Sequence, residues 1–154
     1  MKIQLKEIDR SNYQECINLK VSSDQQDYVA PNIVSLVEAA YEPDLYPLGI
    51  YDNEKFIGFI LFDFDKEING WSMSRFMIGC EHQGKGYGKE SLKVFLAFFK
   101  AKFGNVRLYT SAELENKIAI HLYESFGFKQ QNNFEYEHNG KLYRETRMVL
   151  EANG

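Results

Sequence analysis

The stretch Arg75–Gly88, R-F-M-I-G-C-E-H-Q-G-K-G-Y-G, limits what this chain can become more than any other. Phe76-Met77-Ile78 reads as the end of a buried strand. Gln83-Gly84-Lys85-Gly86-Tyr87-Gly88 follows, with a glycine at every second position, and an amphipathic helix starts at once. Glycine allows positive φ and close approach of backbone to a ligand. The first amides of a helix lack intrahelical partners and sit at the positive end of its dipole. Strand, glycine loop and helix start therefore predict a site for phosphate oxygens. The loop lacks the Gly-Lys-Ser/Thr of a P-loop and does not fit the dinucleotide fingerprint.

The chain around this loop is globular in composition. Its 154 residues are 44% hydrophobic and 15% aromatic, enough for one domain with one core. No apolar run is long enough to span a membrane. The N-terminus, M-K-I-Q-L-K-E-I, is charged where a secretory leader would be apolar, so a cytoplasmic protein is expected. Cys16 and Cys80 lack metal-ligand spacing, no metal is expected, and Cys80 is expected to be a small buried residue.

The net charge of −4 is unevenly spread. Val21–Glu54 holds seven acids, including Asp24, Asp27, Glu38 and Glu42, and no Lys, Arg or His; the other fifteen acids share the remaining chain with all 18 bases. An acidic segment on a mildly basic body suggests a cationic ligand on one side and an anionic one on the other. The plainer alternative is a solvated loop and helix face. No basic stripe marks a nucleic-acid partner.

In chain order, Ile3–Ile8 alternates as a half-buried strand. Ser11 and Gln14 have capping-box spacing for a helix with Tyr13, Cys16, Ile17 and Val21 facing inward. A second helix covers Ile33–Tyr41, its start open between Asn32 and Ser35, and Pro43 ends it. Leu48–Tyr51 and Phe56–Phe62 form a hairpin, Phe64–Gly70 a polar hinge, and Trp71–Ile78 the next strand. Arg75 lies among its apolar residues, either in a structural pairing or at a ligand. Leu92, Phe95, Leu96, Phe99 and Phe103 give the glycine-loop helix one apolar stripe, and Gly104 closes it. Val106–Thr110 is a strand parallel to Trp71–Ile78, joined by a helical crossover. A helix over Lys117–Phe126 and a hairpin of Lys129–His138 with Lys141–Leu150, turning at Asn139-Gly140, complete the chain.

Asn116-x-x-Ala119-x-x-Leu122-Tyr123-Glu124-x-x-Gly127-Phe128 is the second signature. Seven residues are about two helical turns, so Asn116 and Tyr123 share a face. Together with Gln83-x-x-Gly86-x-Gly88 it resembles the acyl-CoA N-acyltransferases of the GNAT superfamily, in motif order and over nearly the whole chain. The resemblance implies an α/β (α+β) fold: a mixed, mostly antiparallel sheet of six or seven strands, a central splayed parallel pair and about four helices, one domain over residues 1–154. It implies acetyl-CoA in the gap where the strands around Ile78 and Leu108 part. Amides of Gln83, Gly84, Gly86, Gly88 and their neighbours Lys85, Tyr87 and Lys89 would take the pyrophosphate. Backbone near Met77 and Ile78 would pair with the pantetheine, and Asn116 would hold its arm.

The acceptor amine would attack directly, since no nucleophile with an adjacent base is apparent. Tyr123 would protonate the departing thiolate. With ordinary values of ~10 for a phenol and ~8.5 for a thiol, that transfer is uphill by about 2 kcal/mol. A modest lowering of the phenol's pKa, or a hydrogen bond to sulfur, would suffice. Several family members carry a glutamate base on the strand before the loop; Trp71–Ile78 has no carboxylate, and no base is assigned.

Glu38 and Glu42 are four apart on one helix face beside Tyr41, a pattern suited to a polyamine. Val29–Glu38 also looks like bacterial spermine/spermidine acetyltransferases. The expected acceptor is thus a polyamine, with an aminoglycoside, a protein amine or a non-catalytic CoA-binding role left open. The last hairpin, around Phe134 and Tyr136, is compatible with a homodimer.

Overall fold

The structure, a computed structural model, describes residues 1–26, 30–138 and 140–152. Asp27 and Val29, singled out above, and Asn139 of the hairpin turn lie outside the described residues. The elements run β1 (Ile3–Glu7), α1 (Tyr13–Asn18), α2 (Asn32–Tyr41), β2 (Leu45–Asp52), β3 (Lys55–Asp65), β4 (Gly70–Ile78), α3 (Tyr87–Phe103), β5 (Leu108–Glu113), α4 (Lys117–Ser125), β6 (Lys129–His138) and β7 (Lys141–Leu150). The sheet order is β1-β2-β3-β4-β5-β7-β6, and only β4 with β5 is parallel. This is the mixed seven-stranded sheet with four helices that the motifs imply.

Helices cover both faces of the sheet. On one, the α3 stripe meets α4 and the strands: Leu92, Phe95, Phe62 and Met148 are essentially inaccessible. Trp71 joins this layer with its ring centroid 4.1 Å from that of Phe103. On the other face α1 and α2 cover Cys16, Phe59, Leu61 and Met77. Burial pushes the Cys16 thiol up to about 12, which leaves it protonated and inert. No helix among the described residues is long and apolar enough to cross a membrane.

Two strands differ from the sequence reading in a way that shapes the site. In β4, Leu61 pairs with Arg75 but Phe62 with Met73, so Ser74 is an extra residue, a β-bulge. A bulge bends its strand and interrupts its alternation. Met73 and Phe76 therefore both pack toward α3 and α4, while Arg75 and Met77 face α1 and α2. The Ser74 hydroxyl donates to the Asp63 carboxylate, which ties the bulge to β3. β5 starts at Leu108 and runs on to Glu113, two residues later than Val106, which is exposed.

Smaller differences have local causes. Ser11 does not cap α1: its hydroxyl donates to Asp9, and Asn12, which precedes the helix, accepts the Asp9 amide at 2.8 Å. Tyr13, expected inside, is 40% exposed. α2 starts at Asn32 behind Pro31, because the Asn32 amide donates to the carbonyls of Cys16 and Leu19 and fastens α2 to α1; Ser35 is buried in mid-helix. Phe64 belongs to β3 rather than to a hinge. Cys80, expected buried, is exposed on a short 3-10 turn.

Candidate active site

The glycine loop leaves β4 at Gly79, passes the turn Cys80–His82 and enters α3 at Tyr87. Gly84 and Gly86 have φ of 76° and 85°, and a Cβ on either would meet nothing within 4 Å. Left-handed backbone, not crowding, calls for glycine there. No side chain caps α3, and its first residues, Tyr87 to Lys89, line a cavity of about 420 Å³. Gln83, Gly84, Gly86, Gly88 and Lys89 line that cavity with Met77 and Ile78; Lys85 is exposed and lies outside the lining. Gln83 donates to the Ile78 carbonyl at 2.9 Å and to Gln25 at 2.8 Å, so one acceptor position at the end of β4 is already taken. The Tyr87 ring is buried and its hydroxyl donates to Asp52 at 2.6 Å, a contact that holds the phenol above its ordinary pKa.

β4 and β5 pair over three rungs, Trp71 with Leu108, Ser72 with Tyr109 and Met73 with Thr110. The bulge at Ser74 follows, and the strands part. The gap thus opens between Ser74–Ile78 and Ser111–Glu113; Leu108, expected at the gap, lies in the first closed rung. The Thr110 hydroxyl donates to the Met73 carbonyl at 2.9 Å where pairing stops.

α4 brings Tyr123 to this gap. The Asn116 side chain accepts the Ala119 amide at 3.4 Å and starts the helix. Its oxygen is therefore engaged in the cap, and its amide nitrogen is left for any ligand. Tyr123 is 5% exposed beside Phe128 and Phe76, with ring centroids 5.7 Å and 6.5 Å away. Burial raises the phenol's pKa well above its ordinary value; the neighbouring Thr110 hydroxyl offsets part of the rise, and the Glu145 charge adds to it. The modest lowering considered from sequence is thus reversed in sign. The phenol stays protonated, as a hydrogen-bond donor or acid must.

Beyond the gap lies a second cavity, of about 560 Å³, sharing Phe76, Asn116, Ala119 and Tyr123 with the first. Its walls carry six carboxylates, Glu38, Asp65, Glu67, Glu113, Glu135 and Glu145, against two arginines, Arg75 and Arg147. Arg75 pairs with Glu38 at 3.8 Å. Of the three acceptor-side residues read from sequence, Glu38 lines this cavity; Tyr41 is 85% exposed, and neither it nor Glu42 reaches either cavity.

The other carboxylates on the acceptor side come from β3 and the turn after it, β5 and the last hairpin. Glu145 is 8% exposed; Ser111 donates to its Oε1 and Tyr136 to its Oε2, each at 2.8 Å. Nothing in their own strands marks these carboxylates as facing a cavity, which is why sequence reasoning passed over them. The signal available was register: antiparallel pairing from the turn sets Glu145 opposite Phe134 and brings Tyr136 near it.

Comparison with known proteins agrees with this geometry. Residues 3–128 match the model of the acetyltransferase (GNAT) family. The spermine/spermidine N(1)-acetyltransferase of Bacillus subtilis (strain 168) is 32% identical over 148 residues, covering 92% of this chain and 95% of the relative. A crystal structure of spermidine N-acetyltransferase from Vibrio cholerae in complex with CoA and spermine superposes with a TM-score of 0.75 at 22% identity, covering 96% and 94% of the two chains. An acetyltransferase of the GNAT family from Streptococcus pneumoniae gives a TM-score of 0.71 at 18% identity, covering 99% and 100%. In motif order, sheet topology and relatives alike, the chain belongs to the GNAT family of acetyltransferases.

Proposed function

We propose that this protein transfers the acetyl group of acetyl-CoA to a primary amine of a polyamine such as spermine or spermidine. The observation that carries this reading is that Tyr123 borders two cavities of opposite character at the β4–β5 gap. One offers uncapped helix amides with Lys89 and the apolar Ile118 and Leu122; the other has an excess of four carboxylates over arginines. The first fits acetyl-CoA: backbone donors for its pyrophosphate and an apolar channel toward Tyr123. The second suits a flexible polycation, held by charge-assisted hydrogen bonds and by contact with Tyr136 and Tyr143.

The thioester supplies an activated acyl carbon and a thiol leaving group. Within that chemistry, Gln83, Gly84, Gly86 and Gly88 fix the carrier, with Met77, Ile78, Tyr87 and Lys89 around them and Lys85 on the solvent side of the loop. Asn116 starts the helix that presents Tyr123 and lines the cavity where its side-chain amide would meet the carrier's arm. Tyr123, protonated in its dry setting, donates to the sulfur as the C–S bond breaks. The amine attacks directly. At pH 7 about one free primary amine in a thousand is neutral, so deprotonation on binding is part of the work. No side chain is assigned as its base.

A thiol-release assay tests this reading, with spermine, spermidine, an aminoglycoside and a lysine peptide as acceptors. Rapid release with the polyamines and little with the others is expected. Turnover confined to another amine would overturn the acceptor; acetyl-CoA uptake with no amine-dependent release would overturn the activity.

A further inference from the structure

We infer that Glu113 and Glu145 together form a subsite for a second ammonium group of the acceptor, the next one along the chain from the amine that reacts. The inference rests on the polyamine reading above and assigns it a specificity determinant.

Glu113 and Glu145 are directly opposite on the antiparallel strands β5 and β7, so their side chains leave the same face of the sheet. Like charges in that relation repel. Both nevertheless line the acceptor cavity, Glu145 almost wholly buried. Glu113 Oε2 is buried without a hydrogen-bond partner, and its other oxygen takes only the Arg144 amide at 3.4 Å. Glu145 is gripped by two neutral hydroxyls, Ser111 and Tyr136, which fix its direction without cancelling its charge.

Among the described residues, no arginine is paired with either carboxylate, and Lys141 acts on Glu113 through its charge. The nearby arginines are engaged elsewhere: Arg75 with Glu38, Arg144 with Glu135 at 3.9 Å, and Arg147 over the Phe134 ring at 4.8 Å. Two like charges facing one another, Glu145 buried and Glu113 half-buried with one buried, orphaned oxygen, call for a cation. Its position matches a polyamine: it shares a cavity with Tyr123, whose phenol feels the Glu145 charge, and stacked Tyr136 and Tyr143 flank it for the methylenes. Holding the reacting amine itself would keep that amine protonated. Holding its neighbour places a positive charge close by, which favours loss of the proton from the terminal amine.

The test measures spermine binding to the full chain by calorimetry, in EDTA, for the wild type, Glu145→Gln and Glu113→Gln. It adds the ratio of kcat/KM for spermine to that for n-butylamine, which lacks a second cation. Each substitution is expected to weaken spermine binding at least tenfold and to lower the ratio by a similar factor, with acetyl-CoA binding and the melting temperature as checks on folding. Binding within threefold of wild type in both variants, or an unchanged ratio, would overturn the subsite. Spermine binding that EDTA abolishes in the wild type would replace the ammonium by a metal ion and equally overturn it. If the wild type binds spermine through these glutamates but releases no thiol, the parent activity falls and the subsite stands; no spermine binding at all removes both.

Discussion

The Thr110 hydroxyl donates to the Met73 carbonyl at 2.9 Å across the last closed rung of the parallel pair. Both residues are almost fully buried, so no water substitutes for that donor. Thr110→Val keeps the shape and leaves the carbonyl short of a partner. A loss of about 1–2 kcal/mol in stability is expected, read from urea unfolding. Because the rung ends at the gap, the variant should also raise KM for acetyl-CoA.

Tyr123→Phe removes the proposed donor and little else, since the ring packs on Phe76 and Phe128 through its carbon framework. The expected result is a fall in kcat of about 100-fold, within the range for a lost general acid. Acetyl-CoA affinity should stay within about twofold, measured by calorimetry. A fall in kcat of under about twofold would remove Tyr123 from the chemistry.

The raised phenol also makes stability depend on alkaline pH. An unfolded tyrosine ionises near pH ~10, whereas Tyr123 in the fold keeps its proton higher. The folded state then holds more protons, so stability falls as pH climbs from about 10 toward the folded value. Below about 10 the contribution is constant. Urea midpoints at pH 8 and pH 10.5 should diverge more for wild type than for Tyr123→Phe.

Gly86→Ala tests the loop with no steric confusion. Its φ of 85° penalises any side chain, yet an added Cβ would touch nothing within 4 Å. The expected cost is about 1–2 kcal/mol of local strain. A shift of the loop should raise KM for acetyl-CoA about tenfold while leaving KM for the amine nearly unchanged. Steady-state kinetics with each substrate varied in turn checks this.

Much of this architecture could be read from residues alone, where a pattern is local. The alternation of Ile3–Glu7, the α3 stripe from Leu92 to Phe103 and the glycines at 84, 86 and 88 each fix one element by short-range periodicity. What escaped depends on pairing between distant strands. Ser74 becomes a bulge only against β3, and that moved the gap away from Leu108. Asn116 was read toward the cofactor, while its oxygen serves the helix start. Glu42 and Tyr41 looked apt because they neighbour Glu38, yet the helix turns them to solvent. Glu113 and Glu145 drew no reading at all, because nothing in their own strands reveals that a cavity wall lies over them.

The bulge at Ser74 makes the sheet a wall with a window. The nucleotide carrier and its amine would come to that opening through two different chambers that meet at Tyr123. Neither guest blocks the other's route, so arrival and departure need follow no compulsory queue. An acetylated product could slip away while the spent carrier is still docked, and inhibition patterns for the two products would carry the imprint of that independence.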